Sequence, residues 1–288
     1  MTTPAFELRD VGFRYPGVTA LAGLTLDIPQ GRRVLLLGAN GSGKSTLLRL
    51  LDALCFPDAG SVRAFGMPLD AQSLAEEEAE FAFRRRVGFV FQNPDVQLFN
   101  ATVFDEIAFG PLQLGWPEER IRQRVEETLA AAGLAHLRER PPHRLSGGEK
   151  KRVALAATLI LDPDVLLLDE PTASLDPESG SRLIETLIDW GGGAKTLVMA
   201  THDLDIVEDV ADRVMVLQQG RLAAQGTPAE ILGDFDLLRR CGLVHAHRHV
   251  HEDGSVHLHH HVHRAPTTAA PGYAWRPVRG RGRRQDFR

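Results

Sequence analysis

The sequence is organised around a glycine-rich motif that reads Gly38-Ala39-Asn40-Gly41-Ser42-Gly43-Lys44-Ser45-Thr46. An apolar run at residues 34–37 precedes it and an apolar stretch at residues 47–54 follows it, which predicts a strand, a glycine loop and a helix in that order. The glycines let several backbone N–H groups point inward, and these groups form a site for phosphate oxygens at the helix N-terminus. We predict that the whole motif binds a nucleotide, with Lys44 reaching the β- and γ-phosphates and the Ser45 hydroxyl binding Mg²⁺.

Two carboxylates stand at the end of a second predicted strand. Asp169 and Glu170 follow the apolar run at residues 165–168, which is too short for a helix and suits a central parallel strand. Ligands of such sheets bind at the carboxyl ends of the strands. We therefore expect Asp169 to lie beside the Mg²⁺ and Glu170 to act as the general base that polarises an attacking water.

A second small-residue motif, Leu145-Ser146-Gly147-Gly148-Glu149, leads directly into a predicted helix at residues 152–161. Serine and glycine at a helix N-terminus again favour an anion site. A nucleotide that is already held by the first loop has no evident need for another. We therefore expect Ser146, Gly147 and Gly148 to bind the nucleotide of a second subunit.

Taken in order, these motifs resemble the ABC ATPase family from residue 6 to about residue 232. The resemblance implies that Tyr15 stacks on adenine and that Asp176 lies in a loop that crosses a dimer interface. It also implies that Gln92 senses the γ-phosphate, contributes to the Mg²⁺ site and contacts a membrane partner. His202 is implied to hold the γ-phosphate and Glu170. The implied catalytic residues are Glu170, His202, Lys44 and Gln92.

Alternating strands and helices, together with this resemblance, predict an α/β fold: a P-loop NTPase core with a mostly parallel sheet, an inserted helical subdomain and an antiparallel β subdomain, followed by a His-rich C-terminal extension. We assign residues 1–240 to the nucleotide-binding domain, with the helical subdomain at about 111–157. Residues 241–263 form the His-rich segment, a candidate β-hairpin. Residues 264–288 form a basic tail that we expect to be disordered.

Composition argues against an integral membrane protein, because no run approaches the roughly 18 apolar residues that span a bilayer. The N-terminus has no basic region followed by an apolar run, so we expect no secretion signal and a cytoplasmic location. Residues 264–288 carry seven arginines and one aspartate, a balance of +6, which leaves −11 on the remainder of a chain whose net charge is −5.

The segments at residues 91–99 and 102–111 closely resemble the energy-coupling-factor branch of ABC importers, which take up vitamins, cobalt or nickel. The predicted function is therefore the ATP-hydrolysing subunit of a cobalt or nickel importer. The expected partners are a second ATPase subunit (an identical or a sister chain), an integral membrane coupling subunit and a substrate-binding membrane subunit. The chain would lie peripherally on the cytoplasmic face of the cell membrane, and no nucleic acid partner is expected.

Histidines alternate with other residues on both sides of Glu252-Asp253-Gly254, and period two predicts two strands of a hairpin. A three-residue loop at 252–254 places six histidines on one face, whereas a two-residue Asp-Gly turn shifts the register by one and separates them. The first arrangement is favoured. Imidazole suits Co²⁺ and Ni²⁺, so this segment is a candidate transition-metal site. Its histidines are His245, His247, His249, His257, His259 and His261.

Three alternatives remain open at this point. The same motor could serve a vitamin importer, in which case the histidines have no role in transport. The chain could be a soluble non-transport ABC ATPase that acts on nucleic acid or the ribosome, although it lacks a second ATPase unit and a long coiled-coil insertion. A metal storage protein or metallochaperone is the third, but it would not need a complete set of ATPase motifs.

Overall fold

The computed structural model describes residues 3–244 and the backbone of residues 246–250 and 256–260. The strands are β1 Phe6–Tyr15, β2 Val18–Ile28, β3 Arg33–Leu37, β4 Ala59–Ala64, β5 Met67–Pro68, β6 Val87–Val90, β7 Val165–Asp169, β8 Thr196–Thr201, β9 Arg213–Gln218, β10 Arg221–Gly226, β11 Ala246–Val250 and β12 Val256–His260. The α-helices are α1 Lys44–Leu51, α2 Glu77–Arg86, α3 Val103–Gln113, α4 Glu118–Ala131, α5 Gly147–Leu159, α6 Pro177–Trp190, α7 Val207–Val210, α8 Pro228–Gly233 and α9 Phe235–Arg240.

A six-stranded sheet in the order β10-β9-β3-β8-β7-β6 forms the centre of the molecule. Strands β6, β7, β8, β3 and β9 run parallel, and only the edge strand β10 is antiparallel. Strand β7 is buried along its whole length, and so is β8. Continuous apolar runs are typical of parallel strands that are covered on both faces. The predicted P-loop α/β fold is confirmed.

The central sheet separates two hydrophobic cores, because successive side chains of a strand point to opposite faces. On β3, Leu35 and Leu37 belong to one core, whereas Val34 and Leu36 belong to the other. The first core also contains the apolar faces of α3, α4 and α5. The second core contains α1 and the inner faces of β1 and β2.

A separate four-stranded antiparallel sheet has the order β2-β1-β4-β5 and corresponds to the expected antiparallel β subdomain. Strand β1 alternates between core and surface at Phe6, Glu7 and Leu8, since one side of the sheet packs on the core. The sheet lies on the same core as α1, so it supports the helix that follows the glycine motif.

The helical stretch begins before Pro111, its expected start, because α3 already starts at Val103. The Thr102 side chain caps this helix by accepting a hydrogen bond of 3.0 Å from the Asp105 N–H. Pro111 lies inside α3, although proline usually marks a helix boundary. The stretch ends with α5 at Leu159, two residues beyond the expected Ala157. Every helix in residues 3–244 is too short or too polar to span a bilayer.

Strands β11 and β12 pair antiparallel in the His-rich segment. His247 is paired with His259, His249 with His257, and Val250 with Val256. This is the register that a three-residue loop requires, and it differs by one residue from that of a two-residue Asp-Gly turn. The proposed pair His245 and His261, the loop at 252–254 and the basic tail at 264–288 lie outside the described residues.

Candidate nucleotide-binding site

The glycine motif joins the buried strand β3 to helix α1. Gly43, the residue before α1, has a φ of 106°, and a side chain there would come within 2.7 Å of the Ala20 carbonyl oxygen. Only glycine fits this position, on both conformational and steric grounds. The buried Ser42 Oγ has no hydrogen-bond partner among the residues that the structure describes. The loop therefore presents a backbone cradle and an unsatisfied hydroxyl, as a phosphate site would require.

Lys44 is the buried cation of this loop, with a relative exposure of 5%. Its Nζ donates hydrogen bonds to the carbonyl oxygens of Gly38 at 2.6 Å and Ala39 at 3.2 Å. The same atom lies 3.7 Å from Glu170 Oε1. Burial lowers the pKa of Lys44, and the carboxylates of Glu170 and Asp169 oppose this shift. The ammonium is thus held between loop carbonyls and the carboxylates at the end of β7.

Ser45 and Asp169 bring two oxygen groups together at the carboxyl end of β7. The Ser45 hydroxyl donates a hydrogen bond of 3.0 Å to Asp169 Oδ1. Burial raises the pKa of Asp169, and the hydrogen bond from Ser45 opposes this shift. Hydroxyl and carboxylate oxygens are ligands that suit Mg²⁺. The donor set therefore fits the predicted metal.

Glu170 follows β7 and is itself buried, with a relative exposure of 6%. Its backbone lies in the left-handed region at a φ of 46°, and its N–H donates to the Ala200 carbonyl oxygen at 2.9 Å. Glu170 Oε1 lies 2.9 Å from Nδ1 of His202, whose side chain is 55% exposed. One carboxylate oxygen is therefore placed between an imidazole that reaches solvent and the Lys44 ammonium.

A cavity of about 1290 Å³ opens beside these side chains. Its lining includes Asn40 of the glycine motif, Glu170, Asp176 and His202. Asp176 caps α6 by accepting from the Ser179 N–H at 3.0 Å, and the Ser179 side chain and backbone lower the pKa of Asp176. The loop that carries Asp176 therefore borders the same space as the phosphate loop.

Gly242 and Leu243 also line this cavity, although they belong to the segment that leads into β11. A side chain on Gly242 would lie 3.6 Å from Ala39 Cβ. Gly242 lies beyond residue 240, the predicted end of the nucleotide-binding domain, yet it packs against the glycine motif.

Ser146 is the N-cap of α5 and lies outside the lining of that cavity. Its Oγ accepts from the Glu149 N–H at 3.3 Å, and its own N–H donates to Glu149 Oε2 at 2.7 Å. These hydrogen bonds form a complete capping box. A side chain on Gly148 would come within 3.5 Å of Ser179 Oγ, so this motif packs beside the start of α6.

Two predicted residues, Tyr15 and Gln92, make no hydrogen bond with the two carboxylates within the described residues. Tyr15 is half-buried, and its hydroxyl accepts a hydrogen bond of 3.1 Å from Arg49 Nη1 on α1. Gln92 is exposed in the loop after β6, and no hydrogen bond joins it to Asp169 or Glu170 in the described part of the chain. Hydrogen bonds and ion pairs therefore join Lys44, Ser45, Asp169, Glu170 and His202. Within residues 3–244, no such contact joins Ser146 or Gln92 to them.

Lys151 is a residue beside this site that the sequence analysis did not single out. It lies on α5 with a relative exposure of 8%, and its Nζ donates to the carbonyl oxygens of Glu170, Pro171 and Ala173. The neighbouring Lys150 instead pairs with the exposed Asp95 at 2.6 Å. The only signal in the sequence is a lysine between the serine-glycine motif and the predicted helix at residues 152–161.

Comparison with known proteins agrees with this geometry. A model described as ABC transporter matches residues 21–173. The chain is 61% identical over 245 residues to the nickel import ATP-binding protein NikO of Rhodobacter capsulatus. The aligned region covers 84% of this chain and 96% of that protein. It is 44% identical over 238 residues to the energy-coupling factor transporter ATP-binding protein EcfA of Methanothermobacter thermautotrophicus, with coverage of 82% and 75%.

Among solved structures, cbiO1 from Clostridium perfringens, described as part of the ABC transporter complex cbiONQ, superposes with a TM-score of 0.70. The two sequences are 36% identical, and the matched region covers 84% of this chain and 95% of the cbiO1 chain. ATPases of this kind use ATP with Mg²⁺ and work as dimers with membrane components. The chain therefore belongs to the ABC transporter family, as one of its ATP-hydrolysing subunits.

Proposed function

We propose that this chain hydrolyses ATP to drive an energy-coupling-factor importer for nickel or cobalt ions. The observation that carries the proposal is the placement of Glu170, whose Oε1 lies 2.9 Å from His202 Nδ1 and 3.7 Å from Lys44 Nζ. A carboxylate that is oriented by an imidazole beside a phosphate-binding lysine suits the activation of water for phosphoryl transfer.

In this proposal the glycine motif and Lys44 bind the phosphates of ATP. Ser45 and Asp169 would hold Mg²⁺, with Gln92 as a further ligand, and the ion when bound would neutralise phosphate charge. Lys44 now donates to the carbonyls of Gly38 and Ala39, so it can exchange these partners for phosphate oxygens. Tyr15 would stack on adenine.

Glu170 would orient the attacking water and accept its proton. His202 holds Glu170 Oε1 by a hydrogen bond and is also exposed, so it can contact the γ-phosphate at the same time. The protein contributes positioning and charge stabilisation, since phosphoryl transfer requires little covalent chemistry from the enzyme.

A second ATPase subunit would complete the site, because Ser146, Gly147 and Gly148 do not line the cavity beside the phosphate loop of their own chain. The Ser146 oxygen accepts a hydrogen bond within its capping box, which leaves its hydroxyl proton free to donate to a phosphate of the other subunit. Asp176 would lie at this interface. The second subunit would be an identical chain or a sister ATPase.

Nickel or cobalt is favoured as cargo by the 61% identity to a nickel import ATP-binding protein and by the likeness to cbiO1. An integral membrane coupling subunit and a substrate-binding membrane subunit would then supply the translocation path. The chain would be bound peripherally to the cytoplasmic face of the cell membrane. A vitamin importer with the same motor is the alternative.

Uptake of ⁶³Ni²⁺ and ⁵⁷Co²⁺ by cells that carry Glu170→Gln tests the proposal. We expect uptake to be lost, because the amide is a poor proton acceptor, while ATP binding persists. The control is Glu178→Gln, which makes the same chemical change at an exposed position on α6. Normal uptake in the Glu170 variant would contradict the assignment, and uptake of a vitamin alone would favour the alternative.

Co-purification separates transport from a soluble role. We expect the chain to copurify with small integral membrane proteins. Copurification with ribosomes or DNA instead would overturn the transport proposal.

We also propose that the histidine hairpin binds the transported metal. Two directly opposed pairs, His247 with His259 and His249 with His257, are two residues apart along each strand and so share one face. Imidazole groups at such spacing are suitable ligands for Ni²⁺ and Co²⁺. The outer pair, His245 and His261, would extend the same row.

Calorimetric titration of the full chain with Ni²⁺ tests this metal site. We expect tight binding in the wild type and its loss when the four paired histidines are replaced by alanine. The matched control replaces His136 and His143, which lie in the ATPase domain. Equal Ni²⁺ binding by the wild type and the fourfold variant would refute the hairpin site.

A further inference from the structure

Lys151 connects helix α5 with the loop that follows β7. Its Nζ donates to the carbonyl oxygens of Glu170 at 3.4 Å and Pro171 at 2.8 Å, and also to that of Ala173. These acceptors lie 19 to 22 residues away along the chain. The contact therefore joins two separate segments of the protein.

The loop after β7 needs such a cation. Glu170 and Ser174 both have positive φ values, 46° and 63°, and the Ala173 N–H turns back to the Glu170 carbonyl at 3.1 Å. This tight turn directs several carbonyl oxygens at one point, where they repel one another. An ammonium group offers three donors and a positive charge, so it can satisfy them together.

Lys151 is also buried, and burial lowers its pKa. A lysine is rarely retained in such surroundings unless its ammonium has polar partners. Here the ammonium donates to backbone oxygens of the loop that carries Glu170. The position of the Glu170 backbone thus depends on α5, the helix that begins at Ser146.

We propose that Lys151 is a positioning residue for ATP hydrolysis: its ammonium fixes the loop after β7 so that Glu170 faces the reacting water. The proposal rests on the proposed function of Glu170. It predicts a specific kinetic result, since Lys151 would act on the chemical step through Glu170 and would not touch the nucleotide.

Lys195 provides a matched control within the same chain. Its Nζ also donates to two backbone carbonyls, those of Asp162 at 2.9 Å and Pro163 at 2.8 Å. Lys195 lies just before β8, whereas the catalytic side chains lie at the opposite, carboxyl ends of the parallel strands. Replacing it removes the same kind of backbone contact, together with an ion pair to Asp162 Oδ1 at 2.7 Å, without disturbing the Glu170 loop.

The experiment measures steady-state ATP hydrolysis by Lys151→Gln, Lys151→Arg and Lys195→Gln, together with thermal unfolding. We expect Lys151→Gln to lower kcat about 10- to 100-fold, as a misplaced general base does, while KM for ATP changes less than twofold. Lys151→Arg should show a smaller loss of kcat, because it keeps the positive charge. Some loss remains, because a planar guanidinium cannot place its donors as an ammonium does. Lys195→Gln should keep the wild-type kcat.

Single-turnover hydrolysis by the double variant Glu170→Gln/Lys151→Gln shows whether Lys151 acts through Glu170. We expect the double variant to be no slower than Glu170→Gln alone, because residues that act as a unit are not additive. The proposal would be overturned if Lys151→Gln slowed the Glu170→Gln variant by the same factor as it slows the wild type. An unchanged kcat in Lys151→Gln alone would also overturn it. If Lys151→Gln does not fold, an unchanged kcat in Lys151→Arg overturns it instead.

Failure of the proposed function would look different. A Glu170→Gln variant with wild-type hydrolysis would remove Glu170 as the base, whatever Lys151 does. A slow Glu170→Gln variant with a fully active Lys151→Gln variant would leave that function intact and reject only the positioning role.

Discussion

Helices α1 and α5 both begin at a glycine-rich motif, but their first turns are closed in different ways. Gly43 precedes α1 and has no side chain that could cap the helix. Ser146 precedes α5, where it forms a complete capping box with Glu149. The N–H groups at the start of α1 therefore remain available for a phosphate, whereas part of the α5 terminus is already satisfied by its own side chains.

The two helices also differ in what their buried lysines contact. Lys44 donates to carbonyls of its own loop, five and six residues away, and approaches a carboxylate. Lys151 donates to carbonyls of a distant loop. The first lysine can exchange its partners for a ligand, while the second connects two parts of the scaffold. Burial and residue type alone do not separate these roles.

The largest effect is expected for Lys44→Met, which removes the cation of the α1 site. ATP hydrolysis should fall by roughly 10²- to 10³-fold, a loss typical of deleting one preorganised electrostatic group. Hydrolysis assays together with ATP-binding calorimetry measure it, and Lys195→Met is the control. A variant that keeps a tenth of the wild-type rate would show that Lys44 is not essential.

The next effect concerns Asp52, the C-cap of α1, which lies 3.4 Å from Arg84 Nη1. Burial raises its pKa from 3.8 to about 7, and Arg84 opposes this shift. The stability that the protonated carboxyl contributes is present in full below pH 3.8 and is lost as the pH rises through about 7. Asp52→Asn, which stays neutral, should therefore be more stable than the wild type at pH 8 by roughly 2 to 4 kcal/mol.

Urea unfolding at pH 8 and pH 4.5 tests the Asp52 prediction. The advantage of the asparagine variant should shrink at the lower pH, where the wild-type carboxyl is protonated in the folded protein. Asp164→Asn is the control, since Asp164 pairs with Arg86 but is half exposed. An equal advantage at both pH values would mean that titration of Asp52 is not its cause.

A smaller effect is expected when each of two capping boxes is broken. Ser146→Ala and Thr227→Ala remove equivalent caps from α5 and α8, and each should cost about 1 kcal/mol of unfolding free energy. Only Ser146→Ala should also slow ATP hydrolysis, by about tenfold if a charge-assisted hydrogen bond is lost. Equal activity of the two variants would remove the proposed role of Ser146 in the second subunit's site.

The smallest effect is expected for Lys150→Gln on α5, a half-buried lysine whose partner Asp95 is exposed. Its ion pair with Asp95 is 2.6 Å long, but Asp95 is 60% exposed, so the pair should contribute less than about 1 kcal/mol. A double-mutant cycle with Asp95→Asn, measured by urea unfolding, gives the coupling energy. A coupling above about 2 kcal/mol would show that the Lys150–Asp95 pair contributes more than a surface ion pair does.

The sequence predicted the P-loop core and the residues at its centre because the signals are local. A strand, a glycine loop and a helix are adjacent in the chain at residues 34–54, and the carboxylates directly follow β7. Parallel strands then bring Lys44, Asp169 and Glu170 to the same edge of the sheet. The start of α3 was missed because Pro111 suggests a helix boundary, whereas the Thr102 cap lies nine residues before it.

Lys151 could not be recognised in the same way. Lys150 and Lys151 are adjacent and chemically identical in the sequence, yet one is paired at the surface and the other is buried. Which of them faces the Glu170 loop depends on how α5 packs on the sheet, and this packing is set by contacts between distant segments. The Asp52–Arg84 pair was missed for the same reason, since 32 residues separate its members.

The packing of Gly242 on Ala39 has a practical consequence for engineering this protein. Gly242 and Leu243 form part of the lining of the cavity beside the glycine motif, and the chain continues from there toward β11. A fluorescent protein fused directly after Val244 would begin beside the surface at which we propose that the second subunit binds, and would obstruct assembly. A fusion placed before β1 would instead begin at the antiparallel sheet, so reporters of dimer formation belong there.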